Sequence, residues 1–234
     1  GDYAAALKEW RPLAEAGDSQ AQFRLGGMYA GGQGLPQDLM EAVKWYRLAA
    51  DQGLTDAEYM LGVTYQMGSR SFKADYDEAL KWYRMAAEKG AANAQYAVGL
   101  AYQSGTPGTP ADYAEAVKWH RMAAEQGNAD AQYNLGLLYA GLRNNSSQRL
   151  PEDYPEAIRW YQKAAEQGIA QAQFNLGRMY QNGVGTTADP KEAMNWYTKA
   201  YDSGVQTAGF DIAGFYEYGR GVPQDRKEAA KWYQ

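Results

Sequence analysis

The chain contains no cysteine. That removes disulfides, zinc–thiolate sites and thiol nucleophiles together, and it leaves the redox compartment open. The only histidine, His120, makes neither a metal site nor a triad. No run of apolar residues is long enough to cross a bilayer, so the sequence contains no transmembrane helix. Cations are in deficit. The 23 Lys and Arg against 28 Asp and Glu give a formal charge of −5, which argues against nucleic acid or an anionic membrane as the main partner. Aromatic residues, by contrast, make up 14% of the 234 residues, within a hydrophobic content of 45% that is ample for a continuous core. The 20 tyrosines give much of that core a polar edge.

One stretch organises the sequence. Glu41 to Gly53 returns at Glu78 to Gly90, Glu115 to Gly127, Glu156 to Gly168 and Glu192 to Gly204, and in shortened form at Glu228 to Gln234. Its marker tryptophans Trp45, Trp82, Trp119, Trp160, Trp196 and Trp232 stand 37, 37, 41, 36 and 36 residues apart. A period of this length signals a stacked array in which each unit packs on its neighbours. One domain over residues 1–234 is expected, with a leading helix over 1–17, units 18–53, 54–90, 91–127, 128–168 and 169–204, and an incomplete unit 205–234. Gly1 and Asp2 lead straight into a helical pattern, and Trp232-Tyr233-Gln234 stops where other copies continue. A removed signal peptide and further repeats outside this sequence are therefore expected.

Each unit reads as two amphipathic helices. In the first, Ala21-Gln-Phe-Arg-Leu-Gly-Gly-Met-Tyr29 has relatives starting at Ala57, Ala94, Ala131, Ala172 and Ala208. Ala, Leu and Tyr recur at positions one, five and nine, a helical stripe, and Gly26, Gly62, Gly99, Gly136 and Gly177 hold position six. Glycine there predicts the close approach of another backbone. In the second helix Ala42, Trp45, Tyr46, Ala49 and Ala50 form one apolar face. Gly53, Gly90, Gly127, Gly168 and Gly204 read as left-handed caps. An Asp-x-x-Glu pair precedes every second helix, at Asp38 and Glu41, Asp75 and Glu78, Asp112 and Glu115, Asp153 and Glu156, Asp189 and Glu192, and Asp225 and Glu228. The aspartate is expected to cap free amides of the first turn while the glutamate reaches back. Pro12 predicts a kink in the leading helix. In the last unit Ala213 replaces the position-six glycine, and Tyr201 is expected to fill room left by Gly209 and Gly214. The insertion Gly141 to Leu150, with Arg143, Asn144, Asn145, Ser146, Ser147 and Arg149, lengthens the fourth unit and is expected to project from one face.

The pattern Ala-x-Tyr/Phe-x-Leu-Gly-x-x-Tyr, Gly-x-Gly, then Asp-x-x-Glu-Ala-x-x-Trp-Tyr-x-x-Ala-Ala-x-x-Gly resembles the Sel-one-like repeat (SLR), a relative of the tetratricopeptide repeat. The resemblance covers essentially the whole chain and its spacing is specific. It implies an all-α, right-handed α/α solenoid whose first helices line a concave surface that holds other proteins. Many bacterial members are exported and act as adaptors, host-factor binders or immunity proteins against secreted toxins. A periplasmic or secreted location follows from the resemblance alone.

Candidate chemistry reduces to structure. Asp112 and Glu115 could be read as a general acid and base, but capping explains every copy of the pair. His120 stands in the slot of Tyr46, Tyr83, Tyr161 and Tyr197 and reads as a packing aromatic with a polar tip. The connectors Gly31 to Gly34, Gly183 to Gly185 and Gly219 to Gly221 lack the Gly-Lys-Ser/Thr ending of a phosphate loop. Lys44 and Arg47, Lys81 and Arg84, and Lys118 and Arg121 align as a basic stripe, with a glutamate three residues before each lysine to pair with it. Asn144-Asn-Ser and Asn145-Ser-Ser match a glycosylation sequon, accidental in a bacterial protein. No cofactor, metal site or catalytic residue is expected.

The informative positions are those at which the copies disagree. Positions four, eight and eleven of the first helix share a face away from the Ala/Leu/Tyr stripe. They read Arg24, Met28, Gly31; Met60, Thr64, Met67; Ala97, Ala101, Ser104; Asn134, Leu138, Gly141; Asn175, Met179, Asn182; and Asp211, Phe215, Tyr218. The row is mostly apolar and amide where a solvated rim would be charged. It is expected to line the groove and grip a protein or peptide, with methionines as adaptable contacts and asparagines bonding a peptide backbone. The competing reading has Met28, Leu138 and Met179 completing the packing between repeats. The function expected is a non-catalytic scaffold or adaptor. An immunity protein is the alternative, and an enzyme is disfavoured by the absence of a convergent nucleophile and base.

Overall fold

The computed structural model describes residues 3–142 and 151–234, and among these it is all helical. The leading helix is α1 (Tyr3–Glu15), and the first helices of the units are α2 (Ser19–Gly31), α4 (Thr55–Met67), α6 (Ala92–Ser104), α8 (Ala129–Tyr139), α10 (Ala170–Asn182) and α12 (Ala208–Tyr218). The second helices are α3 (Leu39–Asp51), α5 (Tyr76–Glu88), α7 (Tyr113–Glu125), α9 (Tyr154–Glu166), α11 (Pro190–Asp202) and α13 (Arg226–Trp232). Among the described residues the one departure from helix and turn is an isolated bridge between Thr106 and Thr109. The chain divides into two compact units, Gly1–Trp119 and His120–Gln234. In the first, α1 to α6 pack in sequence order, each on the next; in the second, α8 to α13 do the same. The insertion residues Arg143 to Leu150 lie outside the described residues. Pro12 sits inside α1, which runs on through it.

The helix starts follow the sequence. All six aspartates cap, with carboxylates accepting from first-turn amides: Asp38 from Met40 and Glu41, Asp75 from Glu78, and Asp112 from Ala114 and Glu115. Asp153 accepts from Glu156, Asp189 from Lys191 and Glu192, and Asp225 from Lys227 and Glu228. The glutamates do otherwise than expected. Glu41, Glu78, Glu115, Glu156 and Glu228 pair forward with Lys44, Lys81, Lys118, Arg159 and Lys231, one turn along. Glu78 and Glu156 also accept from the indole N–H of Trp82 (3.1 Å) and Trp160 (2.9 Å). The aspartate amide that such a reach would serve is already bonded to the carbonyl of the position-nine tyrosine, Asp75 N–H to Tyr65 and Asp153 N–H to Tyr139, both at 2.9 Å, which leaves the glutamates to the cation and the indole. At the other end Gly53, Gly90, Gly127, Gly168 and Gly204 have φ of 88°, 95°, 91°, 88° and 99°, the left-handed exit expected of them.

What the position-six glycine admits is a tyrosine ring rather than a backbone. A Cβ built on Gly26 would stand 2.7 Å from Tyr46 Cδ1, on Gly62 2.4 Å from Tyr83 Cδ1, on Gly136 2.4 Å from Tyr161 Cδ1, and on Gly177 2.7 Å from Tyr197 Cδ1. The position-three aromatic tilts onto the same ring, with centroid distances of 5.7 Å for Phe23–Tyr46, 5.7 Å for Tyr59–Tyr83, 6.0 Å for Tyr133–Tyr161 and 5.6 Å for Phe174–Tyr197. Each ring is clamped between a bare Cα and another ring, an arrangement that adds to the area it buries. Burial pushes the Tyr46 hydroxyl up to about 12. In the last unit Ala213 fills the slot, and Tyr233 is 45% exposed with its hydroxyl donating to Glu217. Tyr201 does pack against Gly209, whose Cβ would meet its ring at 3.2 Å, and crosses Trp232 edge-on; Gly214 takes no part, having nothing within contact distance of its would-be Cβ.

A second ladder ties helix ends together. At position two, Gln22, Gln95, Gln132 and Gln173 donate from Nε2 to the carbonyls of Ala14, Ala87, Ala124 and Ala165, at the end of the preceding second helix. Gln52 and Gln167 in turn donate to the side-chain oxygens of Gln22 and Gln132, both at 2.8 Å. The unit over 54–90 carries a charged version. Glu58, 1% exposed, receives Lys89 Nζ at 2.7 Å, and the same ammonium lies 3.4 Å from the Gly53 carbonyl. Among the described residues Glu58 Oε2 has no hydrogen-bond donor.

Candidate interaction surface

The face formed by positions four, eight and eleven is graded in depth. Position eight goes inside: Met28, Thr64, Leu138, Met179 and Phe215 are all buried, with Leu138 at 0% exposure. Thr64 satisfies its hydroxyl on the Met60 carbonyl. Asn134 at position four is buried too, and its amide donates to the Asp130 carbonyl one turn earlier. These six side chains are packed against the fold and do not stand on an open surface. The reason is geometric: position eight is one turn beyond position four and directly before position nine of the Ala/Leu/Tyr stripe, whose tyrosines are half-buried. Met60, Asn175 and Asp211 are half-buried, and Arg24, Met67, Asn182 and Tyr218 are exposed.

Each unit carries a cleft lined by these positions. In the second unit a cleft of about 170 Å³ is walled on the α10 side by Asn175, Arg178, Met179 and Asn182, at i, i+3, i+4 and i+7 of one helical face. Tyr154 and Tyr161 of α9 supply rings to its lining, and Ala140, Leu142 and Val184 complete it. In the first unit a cleft of about 300 Å³ uses the same register: Ala97, Leu100, Ala101 and Ser104 of α6, with Tyr76 and Tyr83 of α5. Positions four, eight and eleven of the sequence reading thus line both clefts. Position seven and the tyrosine that opens the second helix were missed. Both were findable, since position seven lies one turn beyond four, and Tyr76 and Tyr154 each directly follow a capping aspartate.

The electrostatics around the clefts differ. Arg178 in the second unit acts on Asp211, whose carboxyl is pushed above the usual aspartate range by burial and drawn back by the guanidinium. No charged side chain lines the cleft of the first unit. The basic residues of the second helices are committed elsewhere. The lysines pair within their helices as described, while Arg47 donates to Tyr65 at 2.7 Å, and Arg84 and Arg121 donate to Tyr102 and Tyr139 eighteen residues on. Lys163 and Lys199 lie over the rings of Trp160 and Trp196 at 4.4 Å and 4.1 Å. His120 is buried in the tyrosine slot at 0% exposure. Among the described residues no group of three or more His, Asp or Glu is placed to hold a metal ion, and no helix is long and apolar enough to cross a membrane.

Comparison with known proteins agrees with this construction. The protective antigen c5321 of uropathogenic Escherichia coli strains, which displays an SLR fold, is 38% identical with a TM-score of 0.88; the match covers 97% of this chain and 47% of that one. The chain therefore spans about half the length of that relative. A Sel1 repeat protein from Oxalobacter formigenes is 32% identical, covering 92% of this chain and 83% of its own, with a TM-score of 0.73. A putative Sel1 repeat protein from Klebsiella pneumoniae shares the fold at 23% identity and a TM-score of 0.51, over 87% of this chain and 96% of its own. No curated protein matches the chain significantly. Sel1 repeats generally serve as protein–protein interaction scaffolds and are typically non-catalytic. The Sel1 repeat matches residues 19–54, 55–90, 92–128, 129–169, 170–205 and 210–234, and the chain belongs to the Sel1 repeat family.

Proposed function

We propose that this protein is a non-catalytic scaffold that binds a partner protein or peptide along the position-four, -seven and -eleven face of its first helices. The observation that carries the reading is the recurrence of one cleft in one register in both units, lined by Asn175, Arg178 and Asn182 in one and by Ala97, Leu100 and Ser104 in the other. Asn182 donates to the Arg178 carbonyl at 2.9 Å, a local bond that leaves its side-chain oxygen as an acceptor. Caps, the tyrosine clamp and the glutamine ladder occupy other positions. An amphipathic cleft with amides on its lining suits an extended segment, whose backbone bonds to the amides while a side chain enters the cleft. The site residues that retain exposure are Arg24, Met60, Met67, Asn175, Asn182, Asp211 and Tyr218. Of the buried members Met179 lines the second-unit cleft, while Met28, Thr64, Asn134, Leu138 and Phe215 are packed in the fold.

The test is selection from a displayed random-peptide library, with the selected peptides re-measured against two variants. One carries Met67→Ala, Asn175→Ala and Asn182→Ala; the other carries Leu48→Ala, Met85→Ala and Met122→Ala, exposed positions on the second helices. Binding should fall about tenfold or more, 1.4 kcal/mol, in the first and hold in the second. Loss confined to the second variant would move the binding surface to the second helices.

A further inference from the structure

We propose that the first-unit cleft receives the side chain of a tyrosine carried by a bound peptide. The inference rests on the peptide-binding reading above and names the residue that the cleft reads. Volume comes first. An apolar cavity of roughly 150 Å³ holds benzene, and this cleft offers about 300 Å³, enough for a substituted ring. Ala79, Leu80 and Ala101 give it apolar wall, and Tyr76 and Tyr83 present rings against which another ring stacks or meets edge-on. With no charged residue in the lining, an ionic side chain entering it would lose hydration without a partner.

The polar atoms of the lining narrow the choice among aromatic residues. Gln66 Oε1 accepts from the Tyr83 hydroxyl at 2.6 Å, which fixes the amide and turns its Nε2 into the available donor. The Thr106 hydroxyl is already given to Asp77. Among the described residues neither Gln66 Nε2 nor the Ser104 hydroxyl has a hydrogen-bond partner. An N–H donor and a hydroxyl beside an apolar chamber match a phenol, which accepts from the first and donates to the second.

The chain supplies its own control. At position eight the six units read Met28, Thr64, Ala101, Leu138, Met179 and Phe215, so the first-unit cleft is deep where the smallest of the six stands. In the second unit Met179 fills the same place and the cleft shrinks to about 170 Å³. Ala101→Met therefore copies a solution that the fold already uses.

N-acetyltyrosine amide, titrated into the protein and followed by NMR at Ala97, Ala101 and Ser104, should give saturable shifts. Ala101→Met should raise its Kd about tenfold or more, with N-acetylleucine amide binding more weakly than the tyrosine probe to the native protein. Absence of saturable shifts, equal binding by Ala101→Met, or equal binding by the leucine probe would each overturn the proposal. Should Ala101→Met fail to fold, Gln66→Ala with Ser104→Ala keeps the question open to test: it should weaken N-acetyltyrosine amide severalfold and leave N-acetylphenylalanine amide unaffected, and equal effects on both probes would overturn the phenol assignment. The probes require no partner. Peptides that bind the row but ignore Ala101→Met would sink this proposal alone, and probe binding without any selectable peptide would sink only the reading on which it rests.

Discussion

The ring of Tyr161 occupies the space that a side chain on Gly136 would need: a Cβ there would stand 2.4 Å from both Cδ1 and Cε1. Two effects compete in Gly136→Ala. Helix propensity favours alanine by about 1 kcal/mol, while overpacking a clamped ring costs about 1–3 kcal/mol. The tyrosine is held on its other side by Tyr133 at 6.0 Å and has little room to retreat. Gly136→Ala should therefore lower the urea midpoint, whereas Gly214→Ala, with open space around its would-be Cβ, should raise it slightly. A midpoint unchanged or raised in Gly136→Ala would show that the ring yields freely.

The Glu58–Lys89 pair makes the opposite kind of prediction, in which two losses cancel. Lys89→Ala leaves a buried carboxylate with no cation and should cost about 2–3 kcal/mol. Glu58→Gln with Lys89→Gln recreates the Gln22–Gln52 and Gln132–Gln167 arrangement and adds a side-chain donor for the Ala50 carbonyl, like that of Gln22 to Ala14. The double variant should recover most of the native unfolding midpoint. Equal destabilisation of the single and double variants would rule out the equivalence of the two pairs.

The turn at Thr106 to Thr109 is tied to Asp77, whose carboxylate accepts from the Thr106 hydroxyl at 2.6 Å and the Gly108 amide at 2.9 Å. Those bonds, the Thr106 hydroxyl foremost, hold the carboxyl below the 3.8 usual for aspartate. A lowered folded-state value means that the contribution is fully present above 3.8 and is lost as pH falls through the lower folded value. The Gly108 amide resonance should titrate with a midpoint below that of an unfolded aspartate, and the titration should vanish in Asp77→Asn. A midpoint at or above the ordinary value would show that the tie is absent in solution.

The helix boundaries were legible because they depend on near neighbours. Asp153 and Glu156 are three residues apart, and the cap joining them is settled within one turn. The tyrosine clamp was half legible. Gly136 announces that something comes close, but the visitor, Tyr161, arrives from 25 residues away, and periodicity does not say whether ring or backbone fills the space. The binding row was harder. A helical wheel groups Asn175, Met179 and Asn182 on one face, yet how deeply Met179 sinks is decided by the core it joins, with Ile158 and Tyr161 of α9 and Trp196 of α11. Glu58 was readable and was passed over: it is the only acid at a position that is glutamine in four of the other five units, Gln22, Gln95, Gln132 and Gln173, and Lys89 stands where Gln52 and Gln167 stand.

The placing of that ion pair bears on how such a chain changes its copy number. Glu58 and Lys89 fall in one matched repeat, 55–90, as Gln22 and Gln52 fall in 19–54 and Gln132 and Gln167 in 129–169. What this ladder passes from one repeat to the preceding one is a bond to a backbone carbonyl, which every sequence provides. A crossover at a repeat boundary therefore duplicates or deletes both members of the charged pair together, and no unmatched charge is inherited. In this ladder the variable partners stay inside one repeat and the seam is bridged through backbone, whereas Arg47 to Tyr65 and Thr106 to Asp77 cross seams side chain to side chain, so a crossover must carry both members of those pairs or lose the bond.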